Sequence, residues 1–274
     1  MEEKVTIIIG AGSSLSDAVN KPIIKQPPLD RGFFKALKAR SYISNSDYKK
    51  VIAYLNKHYS IDPLDEHEDS LERVMAMLYA DIHGGPHKNE AAQAFRSLIR
   101  ILNKSISTST NDLNPGNKGN FYSLLTKLLS NRVKPENITV VTFNYDIQVE
   151  KALYKLETTA KWAKCGTIFS FPHCYHLPKY SRSSPTDNSI SVFPEGDADL
   201  LGVSVLKLHG SLNWFSKHTS KDPQPSALLN PNRELNVTYR QEPITDIRYK
   251  GARTQYTYPI IVPPVINKAA ILHR

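Results

Sequence analysis

The seven residues Val140-Val141-Thr142-Phe143-Asn144-Tyr145-Asp146 constrain the fold more than any other stretch of the chain. The apolar, β-branched run from Ile138 to Val141 stops at a polar cluster, and a helix-period segment, Ile147 to Leu156, follows at once. This is the pattern of a buried parallel strand that delivers side chains to the carboxyl edge of a sheet, where open α/β folds place their ligands. Asn144 and Asp146 are two residues apart, so continued strand geometry points them to one side. Asp146 reads equally as an N-cap of the next helix, and Asn144 as a turn residue.

Two other stretches repeat the arrangement. Val5-Thr6-Ile7-Ile8-Ile9 runs into Gly10-Ala11-Gly12-Ser13-Ser14, a strand that ends in a glycine turn. Gly10 and Gly12 let backbone amides approach a phosphate, and Ser13 and Ser14 add hydroxyl donors. A dinucleotide fingerprint asks for a third glycine where Leu15 stands, so the match is incomplete. The third stretch is Val203 to Leu208, followed by His209-Gly210-Ser211-Leu212-Asn213-Trp214. A single histidine at a strand end is either a structural residue or a catalyst. Three strand ends of one kind point to a shared site.

In this order, GAGSS, TFNYD and LKLHGS resemble the motifs of sirtuin-like domains, over roughly residues 4 to 268. The likeness is to the bacterial sirtuin-like NAD-consuming domains of anti-phage defence rather than to the protein deacetylases. Thr142, Asn144 and Asp146 match the deacetylase TQNID-type motif, while Phe143 and Tyr145 depart from it as the defence branch does. His209-Gly210 matches the catalytic His-Gly of both branches.

The resemblance implies an α/β, Rossmann-like parallel sheet with an inserted helical subdomain over residues 32–131, all within one domain spanning residues 1–274. It implies NAD as substrate, cleaved at the nicotinamide–ribose bond through an oxocarbenium-like transition state. Because the leaving group is already cationic, the site must supply orientation, a base for water and stabilisation of the ribose cation. His209 would be that base, since imidazole titrates near neutrality. The Asn144 amide both donates and accepts, and would hold a ribose hydroxyl and the attacking water. Asp146 would bind the nicotinamide carboxamide or steady the positive charge. Gly10, Ala11, Gly12, Ser13 and Ser14 would cradle the pyrophosphate, with Thr142, Phe143, Gly210 and Ser211 around the pocket. Asp30 and Arg31 would be the remnant of the GIPDFR-type segment, with Arg31 touching phosphate or else simply opening a helix from Arg31 to Ala39.

The expected role is that of an NAD-depleting hydrolase in prokaryotic anti-phage defence, self-associating or coupled to a sensor or effector domain or subunit. The alternatives are a non-catalytic module binding NAD or ADP-ribose, and an NAD-dependent protein deacylase. Deacetylases carry a four-cysteine zinc ribbon, whereas this chain has only Cys165 and Cys174 and no CxxC, so no zinc or other metal is expected. Cys165, His173, Cys174 and His176 are the available donors, but adjacent His173 and Cys174 have poor spacing for a tetrahedral site. The family's late strand that grips adenosine has no counterpart after Lys268, so the domain reads as C-terminally truncated, with weak NAD binding expected of this chain alone.

A net charge of +9 raises nucleic acid as a partner, but no basic run exceeds two residues, so that is not expected. No apolar run approaches the ~20 residues of a membrane span, and the acidic start Met1-Glu2-Glu3-Lys4 is not a secretory signal, so the expected location is cytoplasmic.

Between the motifs, Lys21 to Arg31 is too rich in proline for helix or strand. From Gly32 to Asn131, apolar residues recur at three- and four-residue spacing, as in Leu71-Val74-Met75-Leu78 and Phe95-Leu98-Ile99-Leu102. These stripes are expected as core rather than cofactor pocket, with Asp69 starting the helix at Leu71. Asn111 to Asn120, Tyr180 to Ser189 and the stretch from Trp214 to about Glu242 read as polar loops.

Overall fold

The computed structural model describes residues 3–22, 25–41, 45–63, 70–110, 113, 120–159, 161–162, 166–170, 173–175, 180–183, 189–192, 202–217, 237–240 and 256–261. The chain is α/β. Strand β1 (Val5–Ile9) leads through helix α1 (Gly12–Asp17) into the helices α2 (Phe33–Ala39), α3 (Ser46–Tyr59), α4 (Leu71–Gly84), α5 (Lys88–Thr110) and α6 (Asn120–Ser130). Strand β2 (Ile138–Thr142) and helix α7 (Gln148–Glu157) follow, then strands β3 (Tyr180–Ser183), β4 (Ser189–Val192), β5 (Ser204–Lys207), β6 (Gly210–Lys217), β7 (Val237–Arg240) and β8 (Tyr256–Ile261).

β1, β2 and β5 form a parallel sheet in that spatial order, so the three strands expected from sequence are neighbours. Their register aligns Ile9, Thr142 and Lys207 across the sheet. The ladder runs one step further, since Phe143 N–H donates to Ile9 O at 3.1 Å and Leu208 N–H to Thr142 O at 3.0 Å. The three motifs therefore leave the sheet at one level on one edge, as a parallel arrangement requires when strands end in register.

One face of this sheet is core. Ile138 and Val140 of β2 and Val205 of β5 pack with Val149, Leu153 and Leu156 of α7 and with Leu125 and Leu129 of α6. The helix stripes recur at three to four residues and the strand at two, so each presents one apolar side to the other. β1 differs from the expected fully buried strand. It lies at the edge of the sheet, its side chains alternate in burial, and Ile8 is 70% exposed.

The described residues between 32 and 131 are mainly helical, but their packing divides them. Side chains of α2 to α5 form their own core around Phe34, Leu55, Met75, Leu78 and Leu98, joined by Ile147. α6 instead belongs to the core beneath the sheet. The helix boundaries have local causes. α2 begins at Phe33 rather than Arg31, because Gly32 turns the chain in the left-handed region at φ 86°. α4 is capped by Ser70, whose Oγ accepts from Arg73 N–H at 3.0 Å, in place of the expected Asp69, which lies outside the described residues. Asp30 adds a cap from far away in sequence, its Oδ1 accepting from Glu72 N–H at 2.8 Å.

The largest departure from expectation is a second sheet, antiparallel, in the order β3-β4-β7-β6-β8. Stretches read as polar loops supply β3 and β7 to it, β4 starts at the last residue of one of them, and β6 grows directly from the His209 motif. Pro259 sits inside β8, whereas Pro263, Pro264 and Lys268 lie outside the described residues. Among the described residues, no helix is long and apolar enough to cross a membrane.

Candidate functional site

Hydrogen-bond direction at the sheet edge can be worked out from inventory alone. Ser13 Oγ donates to Gly10 O at 2.9 Å, and Ser14 Oγ donates to Asp146 Oδ2 at 2.6 Å. A hydroxyl has one proton, so both serines can only accept from anything else. Asn144 Nδ2 supplies both, at 3.1 Å to Ser13 Oγ and 3.2 Å to Ser14 Oγ. The amide orientation is thereby fixed, and Asn144 Oδ1 is left buried with no hydrogen-bond partner. An orphaned buried acceptor costs about 1–3 kcal/mol, so a donor from a ligand or water is what this position calls for.

Asn144 and Asp146 are each 5% exposed and converge on the serine loop, as their spacing predicted. Asp146 is at once a cap and a site residue. Its Oδ1 accepts from Gln148 N–H at 3.0 Å in the first turn of α7, while Oδ2 holds Ser14. Thr142 is fully buried and does not line the cavity described below; its Oγ1 accepts from Asn144 N–H at 3.0 Å and shapes the turn instead.

His209 is 7% exposed. Its ring packs against Phe143 (centroids 5.5 Å apart) and edge-on to Tyr145 (5.8 Å). The two residues that depart from the deacetylase motif therefore form the wall around the histidine. Burial, reinforced by the carboxylates of Glu72 and Asp30, pushes the Tyr145 phenol well above its ordinary range, so it stays protonated and able to donate.

These side chains border a cavity of ≈ 180 Å³. Ala11 and Ser14 form one side and Phe143 to Asp146 with His209 another. The proline-rich segment from Pro27 to Asp30 and the helical block, through Phe33, Leu71, Glu72, Leu102 and Ile106, close the rest. The helical stripes are core as expected, but some of their residues also line the cavity. Glu72 was not singled out from sequence, because only tertiary packing brings it to the sheet edge.

Other expected residues fall elsewhere. Arg31 is exposed and does not line the cavity; the adjacent Asp30 does. Gly210 starts β6, and Ser211 is fully buried with its Oγ 3.5 Å from Tyr145 O, so they brace the edge from behind. Gly10 and Gly12 are exposed and have no positive φ, and an added Cβ would meet nothing within 4 Å at either position. Neither backbone conformation nor internal packing demands glycine there, whereas close approach of an outside group would.

Beneath the edge lies a buried ion pair that sequence reasoning missed. Lys207 Nζ is 2.9 Å from Glu150 Oε1, with both side chains fully buried, and it also donates to Asp146 O. Tyr175 donates to the same Glu150 oxygen at 2.7 Å. Gln148 Nε2 and Lys151 Nζ both reach Thr110 O, at 3.1 and 3.3 Å, tying α7 to the end of α5. Cys174 is a free, buried cysteine whose thiol is pushed up by burial first and by Glu150 second. Of the other zinc donors considered with it, His173 precedes it in a 3-10 turn, while Cys165 and His176 lie outside the described residues.

The arrangement can hold a neutral polar group between a hydroxyl-rich loop, an amide oxygen and an imidazole, under an aromatic wall. No protein family matches this chain, and no curated protein matches it at a significant level.

Proposed function

We propose that this chain is a sirtuin-like NAD hydrolase that cleaves the nicotinamide–ribose bond, acting as an NAD-depleting effector in prokaryotic anti-phage defence. The observation that carries the reading is the convergence of Ser14, Asn144, Asp146 and His209 on one cavity, with the Asn144 Oδ1 acceptor buried and unsatisfied. A cavity of ≈ 180 Å³ is below the ~300–1,000 Å³ that takes a whole drug-sized ligand, so it suits one end of an extended dinucleotide. The open Gly10–Gly12 turn beside it suits the pyrophosphate.

In this reading the C–N bond breaks with its electron pair leaving on the ring, which departs as neutral nicotinamide. Water adds to the ribose carbon, and its proton passes to His209 and on to solvent. Asn144 Oδ1 accepts from a ribose hydroxyl or from that water. Asp146 works by holding Ser14, and through it Asn144, since both of its oxygens are engaged inside the protein.

That engagement also favours a second reading, a module that binds NAD or ADP-ribose without turning it over, because acid–base chemistry then rests on His209 alone. A deacylase is the weaker alternative, as the two cysteines cannot build the ribbon against which an acyl-peptide cleft forms. Incubation with NAD separates the three. The hydrolase releases nicotinamide without an acyl-lysine, the deacylase requires one, and the module binds without release. His209→Ala is expected to lower release by ~10²–10⁴-fold, and full activity in that folded variant would remove the histidine from the mechanism.

A further inference from the structure

At the opposite end of α4 and α5 from the cavity, three potential metal ligands meet. They are His58 in the last turn of α3, His87 in the turn between α4 and α5, and Glu90 in the first turn of α5; their donor atoms all lie within 4.8 Å of one another. We propose that His58, His87 and Glu90 form a binding site for a first-row divalent cation of the zinc class, tying α3 to α5 within the helical block.

Two imidazoles and a carboxylate are a borderline-soft N/O donor set that suits zinc and its neighbours rather than magnesium or calcium. Much of the geometry is already in place. His58 Nε2 is 3.1 Å from Glu90 Oε2, close to the ~3.3 Å between ligand atoms 2.0–2.1 Å from a tetrahedral ion. The His58 side chain is only 9% exposed, and its ring is held between Tyr54 (centroids 4.6 Å apart) and His87 (4.1 Å). His87 and Glu90 are exposed and can close the remaining gap by side-chain rotation. Three protein ligands leave further positions for water.

Glu90 already receives a cation. Lys57 Nζ sits 3.1 Å from its Oε1 and 2.8 Å from its Oε2. A metal ion takes the place of the Lys57 ammonium, which is long, exposed and free to swing into water. α4 has 14 residues, so at ~1.5 Å per residue the site stands about 20 Å from the cavity, too far to take part in its chemistry. Its effect is to clamp the helical block that forms one wall of the cavity.

The test is zinc binding to the untagged 274-residue chain by calorimetry, with melting temperature as a second readout. The wild type is expected to bind one zinc ion per chain and to melt at higher temperature with it. His87→Ala and Glu90→Gln, both at exposed positions, are each expected to weaken binding more than tenfold and to lose the thermal shift. Lys57→Met is expected to tighten binding severalfold, because it removes the competing cation. Zinc that does not bind, or that binds both ligand variants as tightly as the wild type, overturns the site. So does zinc affinity that falls in only one of the two, or that is unchanged in Lys57→Met.

Discussion

Replacing Lys207 with methionine removes the ammonium from a pocket with no access to water. Glu150 then keeps only the Tyr175 hydroxyl, and its Oε2 has no partner even in the intact protein. Breaking one side of a buried pair typically costs ~3–5 kcal/mol, because the surviving charge is stranded away from water. Against the ~5–15 kcal/mol of total stability usual for a folded domain, that is about a fifth or more. With a urea slope of ~1–3 kcal/mol per molar, the midpoint should fall by more than about 1 M. The double variant Lys207→Met/Glu150→Gln removes both charges and should recover most of the loss, with a coupling energy above ~2 kcal/mol. Lys207 also holds the carbonyl of Asp146. The single variant should therefore bind ligand more weakly at low temperature, where it is still folded. Urea titrations of the two single variants and the double variant at neutral pH decide the matter. A Lys207→Met loss below 1 kcal/mol, or a double variant no more stable than the single, would mean that water reaches the pair and that the edge is not braced as described.

The remaining predictions address the cap, one glycine and alkaline stability. Asp146→Asn keeps an oxygen for the Gln148 amide but turns an NH₂ toward Ser14, whose hydroxyl proton then loses its acceptor and must turn elsewhere, disturbing the Ser14–Asn144 contact. It should melt near the wild type yet lose nicotinamide release, whereas Asp146→Ala should lose release and also about 1 kcal/mol of stability; full turnover in Asp146→Asn would sink the ordering role. Gly202→Ala should cost about 2 kcal/mol or more, since φ is +85° and a Cβ would lie 2.5 Å from Ile168 O, and its melting curve reports this directly. The Tyr48 hydroxyl is buried without a partner, so Tyr48→Phe should be neutral or slightly stabilising at pH 7 by denaturation. Burial, and next Asp62, push that phenol up to about 12, above its ordinary 10. The folded protein thus holds the proton longer than the unfolded chain, and this stability is present below pH 10 and lost as the pH rises toward 12. Tyr48→Phe should lose less stability over that interval, and an unchanged pH slope would refute the assignment.

The sequence by itself determined the parallel sheet edge. Ile7, Val140 and Val205 lie in short apolar runs ended by polar clusters, and that local pattern was enough to place three strand ends, and with them Ser14, Asn144 and His209, at one site. Helix boundaries were legible to within a turn, because capping and periodicity are local. The antiparallel sheet was not legible, since β3, β4 and β7 are short and, although β3 pairs with its neighbour β4, the pairings of β4 with β7 and of β6 with β8 join segments far apart in the chain. Glu72 reached the cavity, and Arg31 and Thr142 did not line it, because tertiary packing decides which side chains face it. Which side of a turn faces a cavity depends on what packs behind it, and for these residues that is a helix or strand tens of residues away. The Lys207–Glu150 pair and the His58–His87–Glu90 group are the purest cases: nothing in the spacing of 57 residues, or of 29 and 3, marks those side chains as neighbours until α7 meets β5 and α3 meets α5.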